Sequence, residues 1–351
     1  MRLVVYGPDR KLGAWVGSQV IDLSPTYAKY IREVENEPLP YEMASAIVPN
    51  ELGLFIESGD RAIEGAQKAV EYLTTRAADQ KGLHGERLIE AESDVKLHAP
   101  YARRARIMMA GGNFIIHSQG MGRTADGQRR TLDEVLEDSR KRGIWGFYCF
   151  PENAVGPDED IIYPSRTDRL DYEGEVALVL GKRGKDIKPE DGQHYVWGYM
   201  LHNDVSARTS LVGQDNPQSS FARGKNFDTS IAGGPCVVVS EFQDPHNVTW
   251  ETRVNGELRQ TGNTEEMTFN FFEYMAYMSA DMTLLPGDVI SAGTTAGTAQ
   301  DSSEIVPGSG EGRNAVRDSK LFLHPGDVVE ISNPAIGVLR NRVVAKPEGE
   351  H

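Results

Sequence analysis

Residues 170–181 read LDYEGEVALVLG. The run Val176-Ala177-Leu178-Val179-Leu180 has the composition of a buried β-strand, yet two glutamates, Glu173 and Glu175, precede it two positions apart. Successive strand side chains point to opposite faces, so these two carboxylates share one face and must lie close together. Two like charges so placed are costly unless something positive lies between them. Glu-x-Glu also marks the solvent face of an amphipathic strand, and the spacing alone does not choose between the two readings.

Downstream, GYMLHNDVSAR (198–208) is an apolar segment ending in Asn203-Asp204. If the two strands are neighbours, Asp204 adds a third carboxylate and completes an all-oxygen site. Such hard ligands suit Mg²⁺, Mn²⁺ or Ca²⁺ rather than zinc, and three of them leave positions open for water and substrate.

The chain of 351 residues is 39% hydrophobic and 25% charged, as in ordinary globular proteins. It contains no apolar run long enough to span a membrane and no basic leader, so a cytoplasmic protein is expected. A formal net charge of −15 with no basic stripe argues against nucleic acid. The cluster YARRAR (101–106) reads as a solvated linker. Cys149 and Cys236 are far apart and outside any Cys-x-x-Cys spacing, which argues against a disulfide framework or a thiolate zinc site and leaves a single accidental pair as the one alternative.

Residues 2–24 alternate like a small β-meander, and AIEGAQKAVEYLTTRAADQ repeats Ile63, Ala66, Val70, Leu73 and Ala77 on one helical face. Residues 1–95 therefore read as a small N-terminal α+β domain. From 100 to 348 short strands punctuated by Gly, Pro and Asp dominate, with Asn255-Gly256 marking a hairpin and FNFFEYMAYMSADM a helix. The fold class expected is mostly β (α+β). Two polar stretches, 118–146 and 299–319, have the length of lids or binding loops, the first carrying a charged helix in TLDEVLEDSRKRG.

The blocks LDYEGEVALVLGK, GYMLHNDVSAR, FARGKNFDTSIAGGPCVV, RVNGELRQTGNTEEMTFN, LLPGDVISAGTTAGTA and FLHPGDVVEISNPAIGVLRNRV occur in order over residues 104–345. In this order and spacing the chain resembles the fumarylacetoacetate hydrolase family. The resemblance implies a mixed β-roll catalytic domain over 100–348, a homodimer, and a Mg²⁺ or Mn²⁺ ion (Ca²⁺ possible) held by Glu173, Glu175 and Asp204. It implies a small anionic 2-oxo or 2,4-dioxo acid as substrate, and roles for Lys225 beside a developing oxyanion, for Arg208 in positioning polar substrate groups and for Thr294 in a carboxylate cradle. Thr295 stands where proline is frequent. GGNFIIHSQG matches an Asn-Tyr-x-x-His segment with Phe114 for tyrosine and His117 as the base. His202 is read as a structural residue packed beside Asp204.

The pattern breaks at Gly120, where many small members carry the glutamate that orients the histidine. Glu304 in DSSEIVPG is the candidate replacement, with Glu134 and Glu137 as others. The expected activity is metal-dependent hydrolysis of a carbon–carbon bond in a 2,4-dioxo acid. The alternative keeps metal and enolate but omits water: a dehydratase, isomerase or decarboxylase of a 2-oxo acid. A third reading is a non-catalytic binding protein for a small acid.

Overall fold

The computed structural model describes residues 1–76, 80–121, 130–208, 220–239, 244–304 and 318–347. The Gly-rich part of the first polar stretch and most of the second lie outside these residues, as does Ala77. None of the helices among the described residues is long and apolar enough to cross a membrane.

Strands Gly174–Leu180 and Val196–Asp204 run antiparallel side by side, with Glu175 opposite His202 and Leu178 opposite Tyr199. Every residue of the first is buried, and its two faces serve different cores. Val176, Leu178 and Leu180 pack with Tyr199, Leu201, Trp250 and Ile290; Ala177 and Val179 pack with Met200, Phe55 and Val289. A strand covered on both sides needs no polar alternation, which is why its apolar run is continuous.

These two strands sit inside a 12-stranded sheet ordered, from one edge, Ile89–Ala91, Gln19–Asp22, Lys11–Val16, Arg2–Tyr6, Ile231–Val239, Val196–Asp204, Gly174–Leu180, Val289–Ser291, Ile107–Ala110 and Gly146–Cys149, with two short strands paired off this path. Most neighbours are antiparallel, but Val289–Ser291 and Ile107–Ala110 are parallel. A five-stranded sheet containing Thr249–Val254, Val328–Asn333 and Gly337–Val344 contributes Trp250, Val329, Ile331 and Leu339 to the first core. The helices Leu23–Val34 and Asp60–Thr74 supply Tyr27, Ile31, Ala66 and Leu73 to the second. The architecture is mixed α and β, with two packed sheets and helices on the far face.

The first 95 residues share this sheet: Leu3 pairs with Val237 and Arg2 with Val238. Alternation in the sequence reveals a strand but not its partner. Helix Asp60–Thr74 also sits about one residue round from the expected face. Ala62, Gly65, Ala66, Ala69 and Leu73 are buried, while Ile63 and Val70 are half-buried. Small residues allow the close approach, since a Cβ on Gly65 would lie 2.7 Å from Val48 Cγ2. The Asn255-Gly256 hairpin forms with φ of 51° and 80°, both positive as a type I′ turn requires. Only Arg103 and Arg104 of the basic cluster are exposed; Tyr101 is buried and Arg106 pairs with Asp288.

Leu3→Ala should lower global stability by about 2–5 kcal/mol, the usual cost of emptying a core leucine site. Amide exchange should speed up together in segment 1–22 and in strand Ile231–Val239, whereas loss of protection confined to segment 1–22 would mean that the two parts open separately.

Candidate metal centre

The decisive fact about the glutamates is burial: Glu173, Glu175 and Asp204 are only 5%, 1% and 3% exposed, so the solvent-face reading is excluded. Their ligand oxygens all lie within 4.8 Å of one another. Strand register brings them together, because Glu175 faces His202 across the ladder and the Asp204 N–H donates to the Glu173 carbonyl at 3.0 Å. Glu173, Glu175, His202 and Asp204 therefore share one face of the sheet.

Gly174, between the glutamates, is clamped from three sides. Its N–H donates to Gln260 Oε1 at 3.0 Å, and its carbonyl accepts from Trp250 Nε1 and Thr294 Oγ1, both at 2.9 Å. A Cβ here would lie 2.0 Å from Thr252 Oγ1, so the residue between the carboxylates must be glycine. Ser291 donates its hydroxyl to Glu175. The Asn203 side-chain oxygen accepts from the Glu173 N–H at 3.1 Å.

Two cations face this cluster. Lys225 Nζ donates to Glu173 Oε2 at 2.5 Å and to Asp204 Oδ2 at 2.6 Å. Arg208 bonds Glu173 Oε1 at 2.5 Å and Asp171 Oδ2 at 2.9 Å. Burial opposes ionisation of Glu173, but Arg208 and Lys225 together hold its carboxyl well below the usual range. The other two ligands remain short of positive charge. Burial, with Asp204 and Glu173 nearby, pushes Glu175 far up; burial outweighs Lys225 at Asp204, and with Glu173 pushes it up to about 7. Asp204 Oδ1 is buried with no hydrogen-bond partner among the described residues. An orphaned carboxylate oxygen within an all-oxygen, over-negative cluster fits a hard divalent cation.

His117 stands at one side of the cluster. Strand Ile107–Ala110 delivers the chain to Asn113, whose side chain donates to the Phe269 and Ala292 carbonyls at 3.0 and 2.8 Å and accepts from the Phe269 N–H. This anchors the short helix Ile115–Met121, on which His117 is buried. Its Nδ1 is 2.7 Å from Asp301 Oδ2, and its Nε2 is 3.9 Å from Glu173 Oε1. The orienting carboxylate is thus Asp301 rather than Glu304, whose side chain is exposed. Gly120 now has a physical reason: a Cβ there would meet Asp301 Cβ at 2.5 Å. The expected glutamate is absent because another carboxylate occupies its space. Glu134 is consumed by the capping box with Thr131 and Glu137 by Lys141.

Asp301 is itself fixed by the Gly297 N–H at 3.0 Å and the Ser302 hydroxyl at 2.9 Å. Asp171 accepts from the Ala299 and Gln300 N–H groups at 2.8 and 3.0 Å, which ties the short helix Ala299–Ser302, on which Asp301 stands, to Arg208 and Glu173. Sequence reasoning missed Asp301, Asp171 and Gln260. Asp171 was visible in retrospect, as the residue two before Glu173 in the same motif. Thr294 is buried beside the site, but its hydroxyl is used between Gly174 and Gln260. Arg208 is likewise engaged by two carboxylates. His202 lies wholly buried, and burial, reinforced by Lys225, pushes its imidazole down to about 3.

Residues 106–344 match the family model described as fumarylacetoacetate (FAA) hydrolase, C-terminal. The chain is 31% identical over 298 residues to the oxaloacetate tautomerase fahd2, mitochondrial, of Xenopus laevis, covering 85% of this chain and 79% of that protein. It is 33% identical over 300 residues to the oxaloacetate tautomerase YisK of Bacillus subtilis, with 84% and 87% covered. Among solved structures it is similar to a fumarylacetoacetate hydrolase from the psychrophile Exiguobacterium antarcticum, with 26% identity, a TM-score of 0.66, and 99% and 100% of the chains covered.

Because Asp204 and Glu175 are raised, protons compete with a cation below about pH 7, and binding should tighten as pH rises from about 5 to 8. Without metal the sign for stability is opposite. Carboxyls raised on folding contribute stability that is full below the unfolded value of about 4 and is lost as pH rises through the folded value. Glu173, lowered on folding, contributes a constant amount across this window. Chelated protein should therefore melt at a lower temperature at pH 8 than at pH 5, with a Mg²⁺-induced rise that grows with pH; a pH-independent rise contradicts the assignment. Gly174→Ala should cost about 1–3 kcal/mol by overpacking and weaken cation binding, as calorimetry would show.

Proposed function

Since the chain belongs to the fumarylacetoacetate hydrolase family, we propose that it is a divalent-metal-dependent keto–enol tautomerase of a small 2-oxo dicarboxylic acid of the oxaloacetate type. The observation that carries this reading is the His117–Asp301 pair, whose Nε2 is directed at the carboxylate cluster from 3.9 Å off Glu173. A base so placed serves any reaction that moves a proton beside a ketone. The tautomerase relatives at 31% and 33% identity favour proton relocation over bond cleavage.

Glu173, Glu175 and Asp204 would hold Mg²⁺ or Mn²⁺, which supplies Lewis acidity toward the oxygens of a 2-oxo acid. The rest falls to the chain's own side chains. Asp301 accepts from Nδ1–H and so leaves the Nε2 lone pair directed toward the site. Nε2 takes the proton from the C2 enol oxygen of the substrate and the same imidazolium returns it to C3, as the C2=C3 bond becomes the C2 ketone, so atoms and charge balance. The Lys225 ammonium lies beside the cluster to stabilise the intervening enolate. Arg208 holds Glu173 and Asp171 in place rather than meeting the substrate.

A second reading, hydrolysis of a 2,4-dioxo acid, is supported by the same pair, because a histidine oriented by a carboxylate also activates water. A homodimer is proposed on family grounds, and sedimentation tests it.

With Mg²⁺ or Mn²⁺ at low buffer concentration, the protein should speed the decay of enol-oxaloacetate absorbance and the exchange of its C3 hydrogens with D₂O. His117→Ala should lower that rate by about 10²- to 10⁴-fold, the usual share of a general base, and Asp301→Asn by less. No acceleration above buffer, together with ¹⁸O from water appearing in the carboxylate released from an acylpyruvate, would replace the first reading with the second.

A further inference from the structure

Next to the carboxylates lies an aromatic pair, Tyr101 and His202, that the proton path does not use. His202 sits directly across the ladder from Glu175 and two residues before Asp204, on the same face of the sheet as both. It is completely buried, and its Nδ1 is 2.6 Å from the phenolic oxygen of buried Tyr101. The other nitrogen, Nε2, has no hydrogen-bond partner among the described residues, and neither has Asp204 Oδ1. An unmet ring nitrogen and an unmet carboxylate oxygen on one strand face are each expensive alone.

The phenol decides which nitrogen carries the proton. If Nδ1 carried it, the phenolic hydrogen would be left over and Nε2 would set a lone pair beside Glu175 and Asp204, which are acceptors in the ionised form that holds a cation. If Tyr101 donates to Nδ1, the proton lies on Nε2 and a donor faces the acceptors. Only the second arrangement is electrostatically consistent.

We propose that Tyr101 and His202 are positioning residues of the metal centre: the Tyr101 hydroxyl fixes the imidazole with its proton on Nε2, and that N–H is the missing donor to Asp204 through one buried water. Lys225 serves Oδ2 of the same carboxylate, so Asp204 is oriented from both sides. Ligands fixed by outer hydrogen bonds bind metal more tightly, and loss of such partners costs about 10- to 100-fold in affinity. The proposal rests on the reading that Glu173, Glu175 and Asp204 bind a divalent cation.

Mn²⁺ binding to the full-length protein, measured by calorimetry and by the electron paramagnetic resonance of free Mn²⁺, tests it. His202→Leu should weaken binding about 10- to 100-fold, and His202→Gln, which retains an N–H near the Nε2 position, should recover part of the loss. Tyr101→Phe should weaken binding and add nothing to His202→Leu in the double variant, because it acts only through the imidazole. In ¹⁵N spectra of the wild type, His202 should show a protonated Nε2 whose shift moves on adding Mg²⁺. Melting temperatures in chelator identify variants that fold. The near-isosteric Tyr101→Phe keeps the test decisive if His202→Leu does not. Folded variants that bind Mn²⁺ like the wild type, or an Nε2 resonance that Mg²⁺ leaves unmoved, would overturn the proposal. Failure of the wild type to bind Mn²⁺ would instead overturn the metal reading on which it stands.

Discussion

Three carboxylates buried on one face of two adjacent strands repel one another, and much of the surrounding structure answers that repulsion. Removing a carboxylate from water costs several kcal/mol unless charge or hydrogen bonds replace the solvent. Here the replacements are unequal. Glu173 has both Lys225 and Arg208 and is held ionised, whereas Glu175 and Asp204 are pushed toward their neutral forms. The imbalance is the physical meaning of the site, since a divalent cation would supply the charge that two side-chain cations leave missing. Gly174 belongs to the same constraint: Thr294, Trp250 and Gln260 grip the backbone between the glutamates, and Thr252 fills the space that a Cβ would need.

The His117–Asp301 pair is built differently from the candidate cation site. The carboxylates stand on strands buried on both faces, but His117 and Asp301 come from two short helices 184 residues apart in the chain. Asp171 couples the two constructions. Its carboxylate takes the Ala299 and Gln300 N–H groups on one side and Arg208 on the other, and Arg208 in turn holds Glu173. A helix of four residues has little stability of its own, so the place of Asp301 depends on this buried charge and on Gly297. The carboxylate cluster and the His117–Asp301 pair are thereby held in one register through Asp171.

Much of this was legible in the sequence, for reasons that differ from element to element. The shared face of Glu173 and Glu175 could be read because strand periodicity is local, whereas the addition of Asp204 rested on the ordered blocks that resemble the family, since periodicity does not give register. The Asn255-Gly256 hairpin was legible because positive φ at two successive residues restricts residue choice. The pairing of Leu3 with Val237 was not, because an alternating pattern is silent about which strand lies beside it. Nor was the face of helix Asp60–Thr74, where close packing of Ala62, Ala66 and Ala69 displaced the larger residues expected inward. Asp301 escaped for a related reason. Gly120 was noticed as a gap, but a sequence shows that a carboxylate is missing, not what has moved into its volume.

The contrast between Gly120 and Gly174 carries the functional argument one step further. Gly174 makes room for the framework that fixes the metal ligands, whereas Gly120 makes room for a carboxylate delivered from a distant helix, and neither can accept a side chain without displacing its neighbour. The first glycine lies inside the local motif that identifies the cation site; the second lies outside it and bears on the base. In the proposed reading the cation ligands come from two neighbouring strands, while the proton chemistry depends on a contact 184 residues apart in the chain. Asp171 and Arg208 are one link between the two; Tyr172, whose hydroxyl donates to the Gly297 carbonyl beside Asp301, is another, so a change in either cluster is felt by the other.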